Sequence, residues 1–115
     1  MQYLLALYVD ESGWGRMTPE EQQHGSAAYT AYTEALRSAG VLINANRLRP
    51  STTATTLRTA DGKTQVLDGP FVDSKEQLGG YYLIEAADLD AAMQWAGRCP
   101  GVQHGVVEVR AIWTM

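Results

Sequence analysis

A single cysteine, Cys99, and only two histidines, His24 and His104, set the first limits on this 115-residue chain. One thiol excludes an intramolecular disulfide and any cysteine-rich metal centre. Two histidines among scattered carboxylates make no ligand spacing, so no metal site is expected. Basic residues are also scarce, 9 against 13 acidic ones. With no Lys/Arg run there is no electrostatic footprint for a nucleic acid, and none is expected as a partner. No stretch approaches the roughly 20 apolar residues of a membrane span, so no membrane partner is expected either. The opening MQYLLALYVDE has neither a basic leader nor a small-residue cleavage site and reads as a strand. The expected location is cytoplasmic. Gly79-Gly80 lacks the spaced glycines and the following helix of a phosphate loop, and no cofactor is expected.

What is present is ordinary globular composition, 45% hydrophobic and 19% charged, in a length that suits one domain over residues 1–115. Gln2 to Val9 is β-rich and apolar on both alternating faces. Asp10 to Met17 reads as a glycine-punctuated loop. Thr18-Pro19-Glu20-Glu21 is a helix start, with Thr18 as cap, Pro19 in the first position and Glu21 closing a capping box. The helix runs to about Ala39 before Gly40, with Ala28, Tyr32, Ala35, Leu36 and Ala39 as its buried stripe, while Gly25 and Ser26 predict an irregular first part. Val41–Leu48 is extended, Ser51–Thr59 is a second strand, Asp61-Gly62 turns a hairpin, and Thr64–Leu67 returns. Leu78–Glu85 is another strand. Asp88 caps a second helix, buried through Leu89, Ala92, Met93 and Ala96 and ended by Pro100-Gly101, before a closing strand Val106–Ile112. This order predicts an α+β, ferredoxin-like fold: two β-α-β units with a hairpin inserted between them and both helices on one sheet face.

Two helices cover only one face. The first strand, the strand Leu78–Ile84 and the closing strand all carry apolar residues on both sides, so an uncovered second face would expose a large apolar patch. A homodimer that covers it is expected.

The densest block is VLDGPFVDSKEQLGGYYLIE, residues 66–85. Together with HGVVEVRAI near the end, the opening MQYLLALYVDE and EALRSAGVL, it resembles the YCII-related family, in its DGPF-domain branch. Asp68-Gly69-Pro70-Phe71, Lys75 to Tyr81 and His104 to Arg110 agree in order and spacing. Ala111 stands where the family often has proline. The resemblance implies a ferredoxin-like fold that pairs into a dimeric α/β barrel. It implies a family whose activities are mostly uncharacterised, with a proposed His/Asp pair, a relative that dehydrochlorinates a chlorinated hydroxyquinol, and frequent association with extracytoplasmic-function sigma factors.

The candidate catalytic residues are Asp68 and His104. An Asp before Gly-Pro is a natural turn-former, but at a strand end its carboxylate can also orient an imidazole or accept a proton. Any acid–base imidazole must be His104 or His24, and the sequence leaves open which one meets Asp68. The wider family places its histidine in the first helix, where His24 lies, although the context Gln22-Gln23-His24-Gly25-Ser26 differs. Candidate binding residues are His24, Phe71, Lys75, Glu76, Tyr81, which follows the glycines, and Arg98, which is suited to an anionic group. The function expected is acid–base chemistry of lyase or isomerase type on a small hydroxylated compound, in a pocket between helices and sheet or at a subunit boundary. The alternative is a non-catalytic module that binds a ligand or a regulatory partner such as a sigma factor.

Overall fold

The β-rich apolar run of QYLLALYV, apolar on both faces, makes the first strand, and the other elements hang on it. The computed structural model describes residues 1–114. Its strands are β1 (Gln2–Val9), β2 (Leu42–Arg47), β3 (Thr55–Ala60), β4 (Lys63–Asp68), β5 (Gln77–Glu85) and β6 (Val106–Ala111); its helices are α1 (Glu11–Gly15), α2 (Pro19–Ser38), α3 (Leu89–Arg98) and α4 (Gly101–His104). The main sheet has the order β2-β5-β1-β6, with every neighbouring pair antiparallel. β1-α2-β2 and β5-α3-β6 are the two β-α-β units of a ferredoxin-like fold. β3 and β4 pair separately as the inserted hairpin, turned by Asp61 and Gly62 at positive φ (52° and 75°).

α2 starts as the capping box requires: Thr18 accepts from the Glu21 N–H, and Glu21 accepts from the Thr18 N–H. α3 starts where the Asp88 carboxylate accepts from the Ala91 N–H. The core lies between these helices and one sheet face. Tyr3, Leu5 and Leu7 of β1 and Tyr82 and Ile84 of β5 pack against Tyr32 and Leu36 of α2 and Ala92 and Ala96 of α3. Leu5, Leu36 and Ile84 are fully enclosed, each contributing about 1.5–3 kcal/mol through burial. The Tyr32 hydroxyl donates to the Trp95 carbonyl at 2.8 Å, and the Tyr82 hydroxyl pairs with Thr33 at 2.9 Å, so the buried phenols tie α2 to α3 and to β5.

Several expectations need correction. Residues 11–15 form a short helix rather than a loop, because Asp10 caps it through the Ser12 N–H. Ser51–Thr53 is a 3-10 turn, and the following strand begins only at Thr55. α2 is regular through Gly25 and Ser26. Ala39 is exposed, and so are Leu89 and Met93, so α3 buries a narrower stripe of alanines with Trp95 alongside. α3 ends at Arg98, and Pro100 caps a further short helix that carries His104. The helix–sheet layer is filled by apolar side chains, with no buried polar or charged residue among the described ones.

Candidate functional site

The antiparallel order gathers the chemistry-bearing residues at one end of the sheet. β1 ends there at Val9, opposite Gln77 at the start of β5, and β6 begins there beside Tyr8. α2 starts at that end and carries His24 in its second turn; α3 finishes there with Arg98; α4 then brings His104. The base of the hairpin, with Asp68, and the loop carrying Phe71, Lys75 and Glu76 also belong to it. Gly105 fixes the position of His104, because its Cα packs so close to the Tyr8 carbonyl that a Cβ would overlap it.

Local contacts hold this end together. The Glu11 carboxylate accepts from the Ser51 N–H through both oxygens at 3.0 Å, joining α1 to the 3-10 turn. The Gln77 amide donates to the carbonyls of Val72 and Ser74, which pins the loop. A hydrogen bond from the Ser12 hydroxyl, helped by the Ser12 N–H and by the charges of Arg16 and Lys75, holds the Asp10 carboxyl below its ordinary range. Trp14 sits beneath the Arg47 guanidinium, 5.3 Å from it.

The candidate residues are not all engaged. Asp68 is exposed and, among the described residues, its carboxylate makes no side-chain hydrogen bond; its neighbour Gly69 carries the base of the hairpin instead, donating to the Ala54 carbonyl. His24 and His104 are both exposed on their helices, and within one chain neither imidazole is hydrogen-bonded to Asp68. Phe71 is 73% exposed, with the Arg58 guanidinium 5.9 Å from its ring. Arg98 stacks over Trp95 at 4.5 Å. Two surface hollows lie elsewhere, one of about 250 Å³ at Met1, Gln2, Glu85 and Ile112, the other of about 330 Å³ at Arg47–Pro50, and neither is lined by a candidate residue.

Tyr81 is set apart by its partners. It alternates with Tyr82 on β5, so it lies on the sheet face without helices, between Asn46 of β2 and Ala6 of β1. Its hydroxyl accepts from the Asn46 amide at 2.9 Å and from the Asn44 amide at 3.3 Å, and the Asn44 oxygen is anchored on the Ala45 N–H. With its lone pairs occupied, the phenol keeps its own O–H for an outside acceptor. The cross-strand register completes this face as rows: Asn46, Tyr81, Ala6 and Glu108, beside Asn44, Leu83, Leu4 and Arg110. The open face is thus apolar in the middle and polar at both edges, with Glu108 and Arg110 paired at 3.1 Å. The large apolar patch expected on this face is confined to its middle. Asn44 and Asn46 were missed, although the alternation in LINANR was the signal that could have placed both amides on one side.

Comparison with known proteins adds the following. The sequence pattern described as the YCII-related domain matches residues 1–115. An uncharacterised protein of Rhizobium meliloti (strain 1021) is 42% identical over 96 residues, which cover 84% of this chain and 77% of that one. Among solved structures, 5-chloro-2-hydroxyhydroquinone dehydrochlorinase from Burkholderia phenoliruptrix AC1100, in complex with 2,5-dihydroxybenzoquinone, superposes with a TM-score of 0.56 over 99% of this chain and 94% of that chain, at 17% identity. That likeness speaks for the fold.

Proposed function

The chain belongs to the YCII-related family, and from that premise we propose that it performs general acid–base chemistry, of lyase or isomerase type, on a small hydroxylated ring compound. The observation that carries this reading is the Tyr81 hydroxyl, held by two side-chain amides on a sheet face that no helix covers. Such a network does nothing for the core. It presents one oriented donor to a substrate oxygen, and a donor fixed before the reaction stabilises charge that develops on that oxygen. His104 is the group that takes the proton from a substrate hydroxyl, since an imidazole exchanges protons near neutrality. Asp68 orients that imidazole and stabilises its charged form. The dehydrochlorinase that shares the fold was solved with a planar ring bearing hydroxyl and carbonyl oxygens. A compound of that class suits an apolar floor of Leu4, Ala6 and Leu83 edged by hydrogen-bonding groups.

The test is calorimetric titration with 2,5-dihydroxybenzoquinone, followed by a turnover screen of halogenated hydroquinones. Tyr81→Phe is expected to weaken binding about tenfold, the loss of one good hydrogen bond. Asp68→Asn is expected to leave binding in place while turnover falls by about 100-fold or more. Equal affinity in wild type and Tyr81→Phe would remove the basis of the reading. A binding role without catalysis is favoured by one observation, the exposed apolar side of the hairpin; ligand binding with no Asp68-dependent turnover of any compound screened is its expected signature.

A further inference from the structure

The chain leaves β2 through Arg47, Leu48, Arg49 and Pro50, and these four line a surface hollow of about 330 Å³. Two guanidinium groups thus border one small space, in a chain whose net charge is -4. Like charges placed together repel, and the other arginines are settled differently. Arg16, Arg37 and Arg110 are each paired with a carboxylate, while Arg58 and Arg98 lie over aromatic rings elsewhere. Among the described residues, neither Arg47 nor Arg49 has a carboxylate partner. The carboxylate that reaches this segment, Glu11, is already engaged, since both its oxygens accept from the Ser51 N–H at 3.0 Å.

The hollow is also held in shape. Arg47 alternates with Asn46 along β2, so it points to the helix side of the sheet, away from the Tyr81 network. There Trp14 lies under its guanidinium at 5.3 Å. The Gln22 amide donates to the Trp14 carbonyl at 2.9 Å, and Gly25 leaves room for the indole, 3.6 Å from where a Cβ would stand. A stacked guanidinium loses freedom before any ligand arrives, and its N–H donors lie in its own plane, clear of the ring beneath. The Leu48 N–H donates to the Gly79 carbonyl at 2.9 Å, Pro50 restricts the backbone, and Glu11 grips Ser51. The segment is pinned on both sides of Arg49.

Forks of N–H donors suit a group with several acceptor oxygens and full negative charge. One guanidinium is enough for a carboxylate. A phosphate dianion has the oxygens and the charge for two. Leu48, which is 42% accessible, and Pro50 add an apolar wall beside the charges.

We propose that this hollow is a phosphate site, in which Arg47 and Arg49 together hold a phosphate dianion, either the free ion or the group of a small monoester whose organic part rests on Leu48 and Pro50. The site shares no residue with the Tyr81 face and stands apart from the acid–base reading.

Calorimetric titration at fixed ionic strength, with orthophosphate, phenyl phosphate and benzoate as probes, tests it. Both phosphates are expected to bind saturably, in the millimolar range or tighter, and benzoate about tenfold more weakly. Arg47→Gln and Arg49→Gln are each expected to weaken phosphate binding about tenfold or more. Arg37→Gln makes the same change of charge on α2 and is expected to bind like the wild type. All three positions are exposed, so these chains are expected to fold, as circular dichroism will check. Tighter binding of phenyl phosphate than of orthophosphate makes an ester the ligand, equal binding makes it the free ion, and either supports the site. No saturable binding of either phosphate by the wild type overturns the proposal, and so does undiminished binding by folded Arg47→Gln and Arg49→Gln. An equal loss in Arg37→Gln would trace the binding to overall charge and overturn it as well. Benzoate bound as tightly as phenyl phosphate overturns the assignment to phosphate.

Discussion

Three phenols show how a single residue senses the whole core. Burial pushes the Tyr29 hydroxyl up to about 12, with charge on Cys99 and Tyr82 adding to the effect. Burial raises Tyr32 as well, and it raises Tyr82 against the opposing hydrogen bond from Thr33. A raised folded-state value means that the folded chain keeps these protons after the unfolded chain has lost them. Their contribution to stability is therefore complete below about pH 10 and is lost as pH rises towards about 12. In an alkaline titration, phenolate absorbance from Tyr29, Tyr32 and Tyr82 is expected to appear late, together with the loss of helical circular dichroism. Ionisation of all 6 tyrosines near pH 10 with the helices intact would contradict this account of the core.

At the scale of elements, the glycines separate contact from conformation. At Gly105 a Cβ would strike the Tyr8 carbonyl, so β6 could not begin beside β1. Gly105→Ala is expected to cost about 3 kcal/mol, the high end for overpacking, and to lower the thermal midpoint by on the order of 10 °C. Gly97, inside α3 with nothing within 4 Å of its would-be Cβ, is the control. Gly97→Ala is expected to stabilise by about 0.5–1 kcal/mol through helix propensity. Equal midpoints for the two variants would show that the close approach does not matter.

The same distinction explains what the sequence revealed. Signals that act within a few residues were legible: the Thr18–Glu21 capping box, the Asp88 cap and the Asp61-Gly62 turn. Features set by packing were not. Leu89 and Met93 recur at helical spacing with Ala92 and Ala96, but the crossing of α3 over the sheet buries the two alanines and leaves Leu89 and Met93 exposed. Asn44 and Asn46 became meaningful only when β2 was laid beside β5 and both amides met the Tyr81 hydroxyl. Asp68 was singled out by a motif, and the hairpin then placed it on an uncovered side, its carboxylate without a side-chain partner among the described residues.

As a whole, the chain is a plate with an arm. It measures 49 × 44 × 17 Å with a radius of gyration of 16.1 Å, where about 13–14 Å is usual for a compact domain of this length. The thin dimension holds one layer of helices on one layer of sheet, so the second sheet face has nothing behind it. Leu57, Val66, Leu67, Phe71 and Val72 are exposed along or beside the arm, and Val106 and Ile112 along the sheet edge. An isolated chain would keep all of this apolar surface in water, which argues that its folded state is stabilised by association. The thermal midpoint should then depend on protein concentration. A tenfold dilution removes about 1.4 kcal/mol per mole of dimer, a shift of several degrees at this size. Scanning calorimetry over a hundredfold range of concentration is expected to show that drift, and a chain carrying both Leu57→Asp and Val66→Asp is expected to unfold lower and without it. A constant midpoint with a solution mass of 12.6 kDa would mean that the plate stands alone, and the exposed faces would then need a different occupant.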